Sequence, residues 1–246
     1  MPKLIRSPYS FFVLFFILLH TVQAQEKDLS FLRKITVDDD SKFTTTGSIG
    51  LTISNFGTFG DGFAVQAPDD QPSCEYPKGS GIEHIFVGGL WVGGKRDDGS
   101  ILVTTGARDI PSLRDVAAGF EFTNSSDPGD VVLERSSLID NPFFDPEAVS
   151  HQDFIADCTD SNTVVPGTTI RIPQHTPINL SIHLESYAWN FPFADAFVIL
   201  NYTIKNTGRQ RLHDVYVSLW ADMVVRNTNI TPPRVGAPFY QHVGNG

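Results

Sequence analysis

The amino-acid sequence predicts an all-β protein, built either as one antiparallel β-sandwich or as two small sandwich-like modules. Three observations favour this class. Apolar and polar residues alternate through three successive segments in the second half of the chain. Gly, Pro, Asn and Asp separate short apolar runs from Gly47 onward, and no stretch sustains the i, i+3, i+4 apolar spacing of an amphipathic helix over three turns.

Residues 1–24 have the three-part pattern of a cleavable secretory signal. Lys3 and Arg6 supply the positive start, and the apolar run at 11–19 is shorter than the roughly 20 residues that a membrane-spanning helix needs. Val22 and Ala24 are the small residues at positions −3 and −1 of a cleavage site that follows Ala24. An N-terminal anchor helix is the alternative, but polar residues from Gln23 onward end the apolar run early. The sequence therefore predicts a secreted or cell-surface protein with no transmembrane segment after signal removal.

The charge of the chain argues against nucleic acid as a partner. The formal net charge is −10, and loss of Lys3 and Arg6 with the signal lowers it to −12. An acidic surface repels a phosphate backbone. We therefore predict no binding to DNA or RNA.

The first half of the mature chain is predicted to hold a charged, exposed lead-in at 25–46 and a β-rich module with long loops at 47–165. Its clearest hairpin has strands at 83–94 and 100–105 with the turn signal Asp98-Gly99 between them, because Gly accepts the positive φ that such a turn requires. The glycines inside the first strand predict a bulge or close backbone packing.

Two polar, Pro-containing stretches in this half, 124–146 and 161–166, are predicted to be loops. Either can separate two β modules, and a single sandwich that carries long loops is the alternative.

The second half, 166–246, is predicted to be an antiparallel sheet module. Residues 177–189, 197–205 and 212–223 each alternate with period two, as strands of a half-buried sheet do. We expect these three strands to form one sheet in chain order. Beyond them, 231–246 has loop chemistry and offers no closing strand, so we expect the chain to be truncated at its C-terminus.

Two cysteines remain after signal removal, Cys74 and Cys158. An oxidising compartment favours a disulfide between them, which would stabilise the fold by roughly 4–5 kcal/mol in the chain-entropy model. Two separate thiols are the alternative, because sequence spacing does not give the distance that a bridge requires.

No catalytic motif is present, so we predict a non-enzymatic protein with no catalytic residues. No histidine lies in a His-Glu-x-x-His frame, and the chain lacks a Gly-x-Ser-x-Gly elbow and a phosphate-binding glycine loop. No cofactor is predicted. A structural calcium ion stays possible, because the aspartate runs at 38–40, 69–70 and 97–98 offer hard oxygen ligands. The alternative is that these aspartates are solvated charges in turns.

Four aromatic residues form a candidate ligand platform. On the predicted alternation, Tyr187, Trp189, Tyr216 and Trp220 fall on the face opposite the aliphatic set. Such a face either stacks on the sugar rings of a glycan or receives another sheet.

Several stretches of the chain resemble one group of proteins. Ile49-Gly-Leu-Thr-Ile-Ser-Asn-Phe-Gly-Thr-Phe-Gly60, Pro72-Ser-Cys-Glu-Tyr-Pro-Lys-Gly-Ser-Gly81 and Gly89-Leu-Trp-Val-Gly-Gly94 are similar to the N-terminal region of large, mostly uncharacterised exported proteins of Bacteroidota and related bacteria. Tyr202-Thr-Ile-Lys-Asn-Thr-Gly208, the run at 214–222 and those at 226–233 and 239–246 are similar to the same group. The group often adds fibronectin type III-like modules and a type IX secretion sorting domain, which this sequence lacks.

Together these observations predict an exported, non-enzymatic β-sandwich that serves adhesion, scaffolding or presentation within a larger protein. The alternative is an accessory or carbohydrate-binding domain of an extracellular hydrolase. A glycan or a cell-surface protein would be the partner.

Overall fold

The computed structural model describes residues 40–60, 71–107, 121–124, 129–166, 169, 171–172 and 174–223. The predicted signal with its cut after Ala24 lies outside these residues. So do most of the lead-in, the acidic residues Asp38, Asp39, Asp69 and Asp70, and the C-terminal segment from 224 onward.

The described residues form eleven β-strands and no helix, arranged as two antiparallel sheets that do not close into a barrel. This confirms the predicted all-β, sandwich-like fold. None of the described segments is a helix long and apolar enough to cross a membrane. The strands are β1 Ser41–Phe43, β2 Gly50–Ser54, β3 Thr58–Phe59, β4 Cys74–Glu75, β5 Ile85–Lys95, β6 Ile101–Thr105, β7 Leu133–Arg135, β8 Gln152–Thr159, β9 Leu180–Ala188, β10 Ile199–Asn206 and β11 His213–Met223.

The first sheet has seven strands, in the order β1-β2-β3-β5-β11, with β4 paired to β2 and β6 paired to β5. Its first strand lies within the segment that was expected to be an exposed lead-in, since Ser41 pairs with Ser54 across β1 and β2. A lead-in was expected there because the segment is charged, yet Asp40 accepts the backbone amides of Ser41 and Val132 and so holds the start of the sheet.

The predicted hairpin is confirmed as β5 and β6. Trp91 pairs with Thr105 and Lys95 with Ile101, and Gly99 closes the turn with a φ of 84°. The expected close packing at the glycines is also found. A Cβ added to Gly88 would lie 2.3 Å from the ring of Phe59, so only glycine leaves room for that ring against the strand.

The second sheet has the order β10-β9-β8-β7. The burial of β9 alternates along all nine residues, as the sequence pattern predicted. Its strand β7 lies inside the stretch predicted to be a long loop at 124–146. Three residues are too few for period-two alternation to stand out from the surrounding polar residues.

The prediction that the last three strands form one sheet is wrong in its third strand. The first two pair as β9 and β10, but β11 crosses to the first sheet and pairs with β5 from Lys95 to Ile85. Alternation indicates a strand with one apolar and one polar face, and it does not identify the neighbouring strand.

The core lies between the two sheets, in two main clusters. One joins Leu51 and Ile53 to Phe154 and Leu184. The other joins Leu90 and Val92 of β5 to Leu180 and Ile182 of β9. Each cluster combines residues from both sides of position 165, so the two halves of the chain share one core.

Candidate functional site

The four residues of the predicted aromatic platform lie in two places. Tyr187 lies at the end of β9 in the second sheet and Trp189 directly after that strand, whereas Tyr216 and Trp220 lie on β11 in the first sheet. The crossing of β11 causes this separation. Tyr187 and Trp189 lie on the outward side of the second sheet, because Ala188 between them is buried. Tyr216 and Trp220 pair with Gly93 and Gly89, on the face of β5 opposite the buried Leu90 and Val92.

The first pair belongs to a larger aromatic group on the outward side of the β9–β10 hairpin. The ring centroids of Tyr187 and Trp189 are 6.3 Å apart, and those of Trp189 and Phe197 are 6.0 Å apart. The strand register continues this alignment, since Tyr187 pairs with Ile199. We call Tyr187, Trp189 and Phe197 the aromatic face.

A row of polar side chains continues the aromatic face along the same hairpin. The Glu185 carboxylate accepts the Tyr187 hydroxyl at 2.7 Å and the Asn201 amide at 3.3 Å, and its other oxygen lies 3.5 Å from the Arg135 guanidinium. The hydrogen bond from Tyr187 is the main cause that lowers the pKa of Glu185. The carboxylate is therefore ionised at neutral pH and acts only as an acceptor.

The loop that follows β9 is held in place by the turn before β2. The side chain of Asn190 accepts the Gly47 amide at 2.7 Å, and the Asp195 carbonyl accepts the Ser48 amide at 2.6 Å. Gly47 has a φ of 76°, and an added Cβ would lie 2.8 Å from the Asp195 carbonyl oxygen. A side chain at this position would push the two segments apart, so glycine allows the contact.

This loop also presents two stacked phenylalanines. The rings of Phe191 and Phe193 are 5.3 Å apart and nearly parallel, at 5°. Phe191 contacts His151 edge-on at 4.5 Å, and Phe193 is 83 % exposed. The anchored loop thus keeps large aromatic surfaces in solvent.

The first sheet carries a different surface, an apolar trough of about 480 Å³ on its outward side. Gly93 forms its floor, and Trp91, Ile101, Val103 and Tyr216 stand around it. The indole of Trp91 is fixed by a 2.6 Å hydrogen bond to the Ala107 carbonyl.

Beside this trough, β11 is a long edge strand. Within the described residues it pairs with β5 alone. Val217 and Leu219 lie opposite the buried Val92 and Leu90, yet they are 54 % and 52 % exposed, and Tyr216 on the other face is 76 % exposed. Apolar side chains are therefore exposed on both faces of this strand.

No disulfide joins Cys74 and Cys158 in the structure. Cys74 lies on β4 and packs beside the first core cluster, whereas Cys158 lies on β8 in the second cluster. Each cysteine side chain therefore packs against the apolar residues of a different cluster. Burial, with a smaller contribution from the charge of Glu83, raises the pKa of Cys74 to about 11.

The acidic residues considered for calcium have other contacts where they are described. The carboxylate of Asp98 accepts the Ser100 amide at 2.9 Å, and Asp97 pairs with His213 at 2.7 Å. In the part of the chain that the structure covers, no group of three or more His, Cys, Asp or Glu side chains is placed to hold a metal.

Sequence reasoning missed the polar half of the hairpin face and most of the trough. Phe197 and Asn201 join Tyr187 and Glu185 only through the pairing of β9 with β10, which alternation along one strand does not give. Trp91 joins Tyr216 because β11 pairs with β5. Knowledge of the strand pairing would have identified both surfaces.

Comparison of the chain with protein-family models, curated proteins and solved structures found no match.

Proposed function

We propose that this chain is an exported, non-enzymatic β-sandwich module that serves as a scaffold at the cell surface, within a larger protein of the Bacteroidota-type group that it resembles. The observation that carries the proposal is the exposed edge of β11. An 11-residue edge strand with apolar side chains on both faces is a template for pairing with another strand.

The strand lacks most of the features that keep edges unpaired. It contains no lysine and no proline, and its register is regular from Tyr216 to Ala221, with irregularities only towards its two ends. By contrast β10, at the edge of the second sheet, carries the polar outward side chains Asn201, Thr203 and Lys205. Of these two edges, β11 is the one suited to assembly.

The partner best suited to this edge is β11 of a second copy of the chain. An antiparallel pair with its two-fold axis at Val217 sets Val215 of each copy opposite Leu219 of the other. It also places Asp214 of one copy opposite Trp220 of the other and Asp222 opposite Leu212, so no two carboxylates face each other. An axis at Ser218 would instead place Asp214 opposite Asp222, which is repulsive. Shape and charge therefore favour the axis at Val217.

Sedimentation equilibrium of the processed chain, residues 25–246, tests this proposal. We expect a reversible dimer with a dissociation constant on the order of 10 µM, because a single strand pair buries less area than a standard interface. Val217→Lys places two lysines face to face at the axis and should give a monomer. Thr203→Lys is the matched control on β10 and should leave the dimer intact. A wild-type chain that stays monomeric at about 200 µM would overturn the proposal.

Export has its own test. Mass spectrometry of the protein recovered outside the cytoplasm should find an N-terminus at Gln25. Retention in the cell with residues 1–24 still attached would contradict an exported role.

A further inference from the structure

We propose that the outward side of the β9–β10 hairpin binds neutral polysaccharide. Sugar rings would stack on the aromatic face, and their hydroxyls would hydrogen-bond to the row formed by Glu185, Asn201 and Arg135. This site lies in the second sheet and does not depend on pairing at β11.

The aromatic side chains offer sugar rings a partly open surface, since Phe197 is 44 % exposed and Tyr187 and Trp189 are half-buried. Trp189 and Phe197 lie beyond the last paired residues of the hairpin, Tyr187 and Ile199, and their rings are tilted by 57°. Tyr187 extends the same surface at 48° to Trp189. The C–H faces of a pyranose ring are apolar and pack on such aromatic planes while the hydroxyls stay at the rim.

The adjoining polar groups match the rim of a sugar. Carboxylate, amide and guanidinium groups are planar and offer paired acceptors and donors, which suits neighbouring hydroxyls. The side chains of Glu185 and Arg135 are 23 % and 19 % exposed, so each can be reached from solvent while its contacts fix its direction. The Nε of Arg135 is buried and has no hydrogen-bond partner among the described residues.

The site is held rigid before any ligand binds. The loop that carries Trp189 and Phe197 is anchored through Asn190 and Asp195 to the turn at Gly47 and Ser48. A ligand that meets fixed side chains loses less of its binding free energy to their ordering.

The charge of the site selects among glycans. Asp153, Asp157 and Glu185 lie on this side of the sheet, against the guanidinium of Arg135 and the ammonium of Lys205 farther along β10. Carboxylates therefore outnumber these two cations. Uronate or sulfate groups would therefore be repelled, and neutral sugars would not.

The two outward surfaces differ in composition, and this difference indicates which of them suits a glycan and which suits a protein partner. The trough over Gly93 has aliphatic walls in Ile101 and Val103, which suit a protein partner. The hairpin instead places aromatic rings directly beside planar polar groups, the combination that a sugar with one apolar face and a polar rim requires.

Affinity electrophoresis of the processed chain in gels that contain single polysaccharides tests the site. The neutral probes are xyloglucan, glucomannan, arabinoxylan, mixed-linkage β-glucan and laminarin, and the anionic probes are polygalacturonate and alginate. We expect at least one neutral polymer to retard the protein and neither anionic polymer to do so.

Variants connect the retardation to the hairpin. Trp189→Ala should weaken binding about tenfold, the upper end of what one aromatic contact contributes. Asn201→Ala, at an exposed position, should weaken it several-fold without risk to the fold. Phe197→Ala should also weaken binding, and Phe143→Ala is its matched control, since Phe143 is 48 % exposed and Phe197 44 %; the control should bind as wild type does.

Three results would overturn the proposal: no retardation by any neutral polymer, retardation by an anionic polymer, or binding that survives both Trp189→Ala and Asn201→Ala. Val217→Lys should bind polysaccharide even where it abolishes the dimer, so failure of one proposal leaves the other standing.

Discussion

A single buried carboxylate joins the two sheets, and its removal should cost much of the stability. Asp160 is fully buried at the end of β8. One of its oxygens accepts the Ile178 amide at 2.6 Å and the Thr104 hydroxyl at 2.8 Å. The other accepts the Leu180 amide at 2.5 Å. Thr104 belongs to β6 in the first sheet and Leu180 to β9 in the second, so the carboxylate spans the sandwich.

The expected loss follows from these three bonds. A hydrogen bond to a charged group contributes roughly 1.5–3 kcal/mol, and a buried donor left without its acceptor costs about 1–3 kcal/mol. Because bonds in one network are not additive, we expect Asp160→Ala to lower the free energy of unfolding by about 4 kcal/mol. Asp160→Asn keeps one acceptor but turns an amide donor towards another donor, and we expect a loss of about 2–3 kcal/mol.

Urea unfolding followed by tryptophan fluorescence and circular dichroism measures both losses. Coincident transitions by the two probes justify a two-state treatment. Asp140→Ala, which removes an exposed carboxylate, is the control and should change the free energy by less than about 0.5 kcal/mol. A loss below about 1 kcal/mol for Asp160→Ala would show that the carboxylate does not hold the sheets together.

Two further substitutions test packing and thiol chemistry. Gly88→Ala should lower the free energy of unfolding by about 2 kcal/mol, because the added methyl group would overlap the Phe59 ring. Gly93→Ala is the control, since a Cβ added there would lie 3.5 Å from its nearest neighbour. In the same urea titration it should lower the free energy of unfolding by about 0.5 kcal/mol or less. With a pKa of about 11, Cys74 should resist iodoacetamide near pH 8 until the protein unfolds, and rapid labelling of native protein would contradict its burial. The unfolded thiol ionises near its ordinary value of 9.0, so stability should fall as pH rises from there towards 11, and Cys74→Ala should reduce that slope.

The fold class was predictable because its signals are local. The β5–β6 hairpin follows from the Asp98-Gly99 turn between two apolar runs, and β9 follows from nine alternating residues. The place of β11 was not predictable in the same way. Its partner β5 lies more than a hundred residues earlier in the chain, and nothing within either strand specifies that pairing.

The candidate site likewise contains some residues that local sequence patterns identify and others that depend on strand pairing. Tyr187 and Trp189 were identified because aromatic residues stand out along a single strand. Glu185 shares the outward face of β9 with Tyr187 by alternation, but Asn201 joins them only when β9 and β10 are in register. Arg135 reaches Glu185 from a strand that sequence patterns assigned to a loop. Side chains that act across strands are visible only once the pairing of those strands is known.

If both proposals hold, the crossing of β11 also gives the molecule two sites that work together. The strand edge lies in the first sheet and the aromatic face in the second, so a dimer through β11 leaves both aromatic faces open to solvent. Two faces held in one particle bind a repeating polymer with an effective concentration that a monomer lacks. Val217→Lys should therefore weaken retention on an immobilised polysaccharide by about tenfold or more, and leave binding to a short soluble oligosaccharide unchanged. Equal losses on both ligands would mean that the substitution damages the hairpin itself, and no loss on either would mean that the two sites do not act in one assembly.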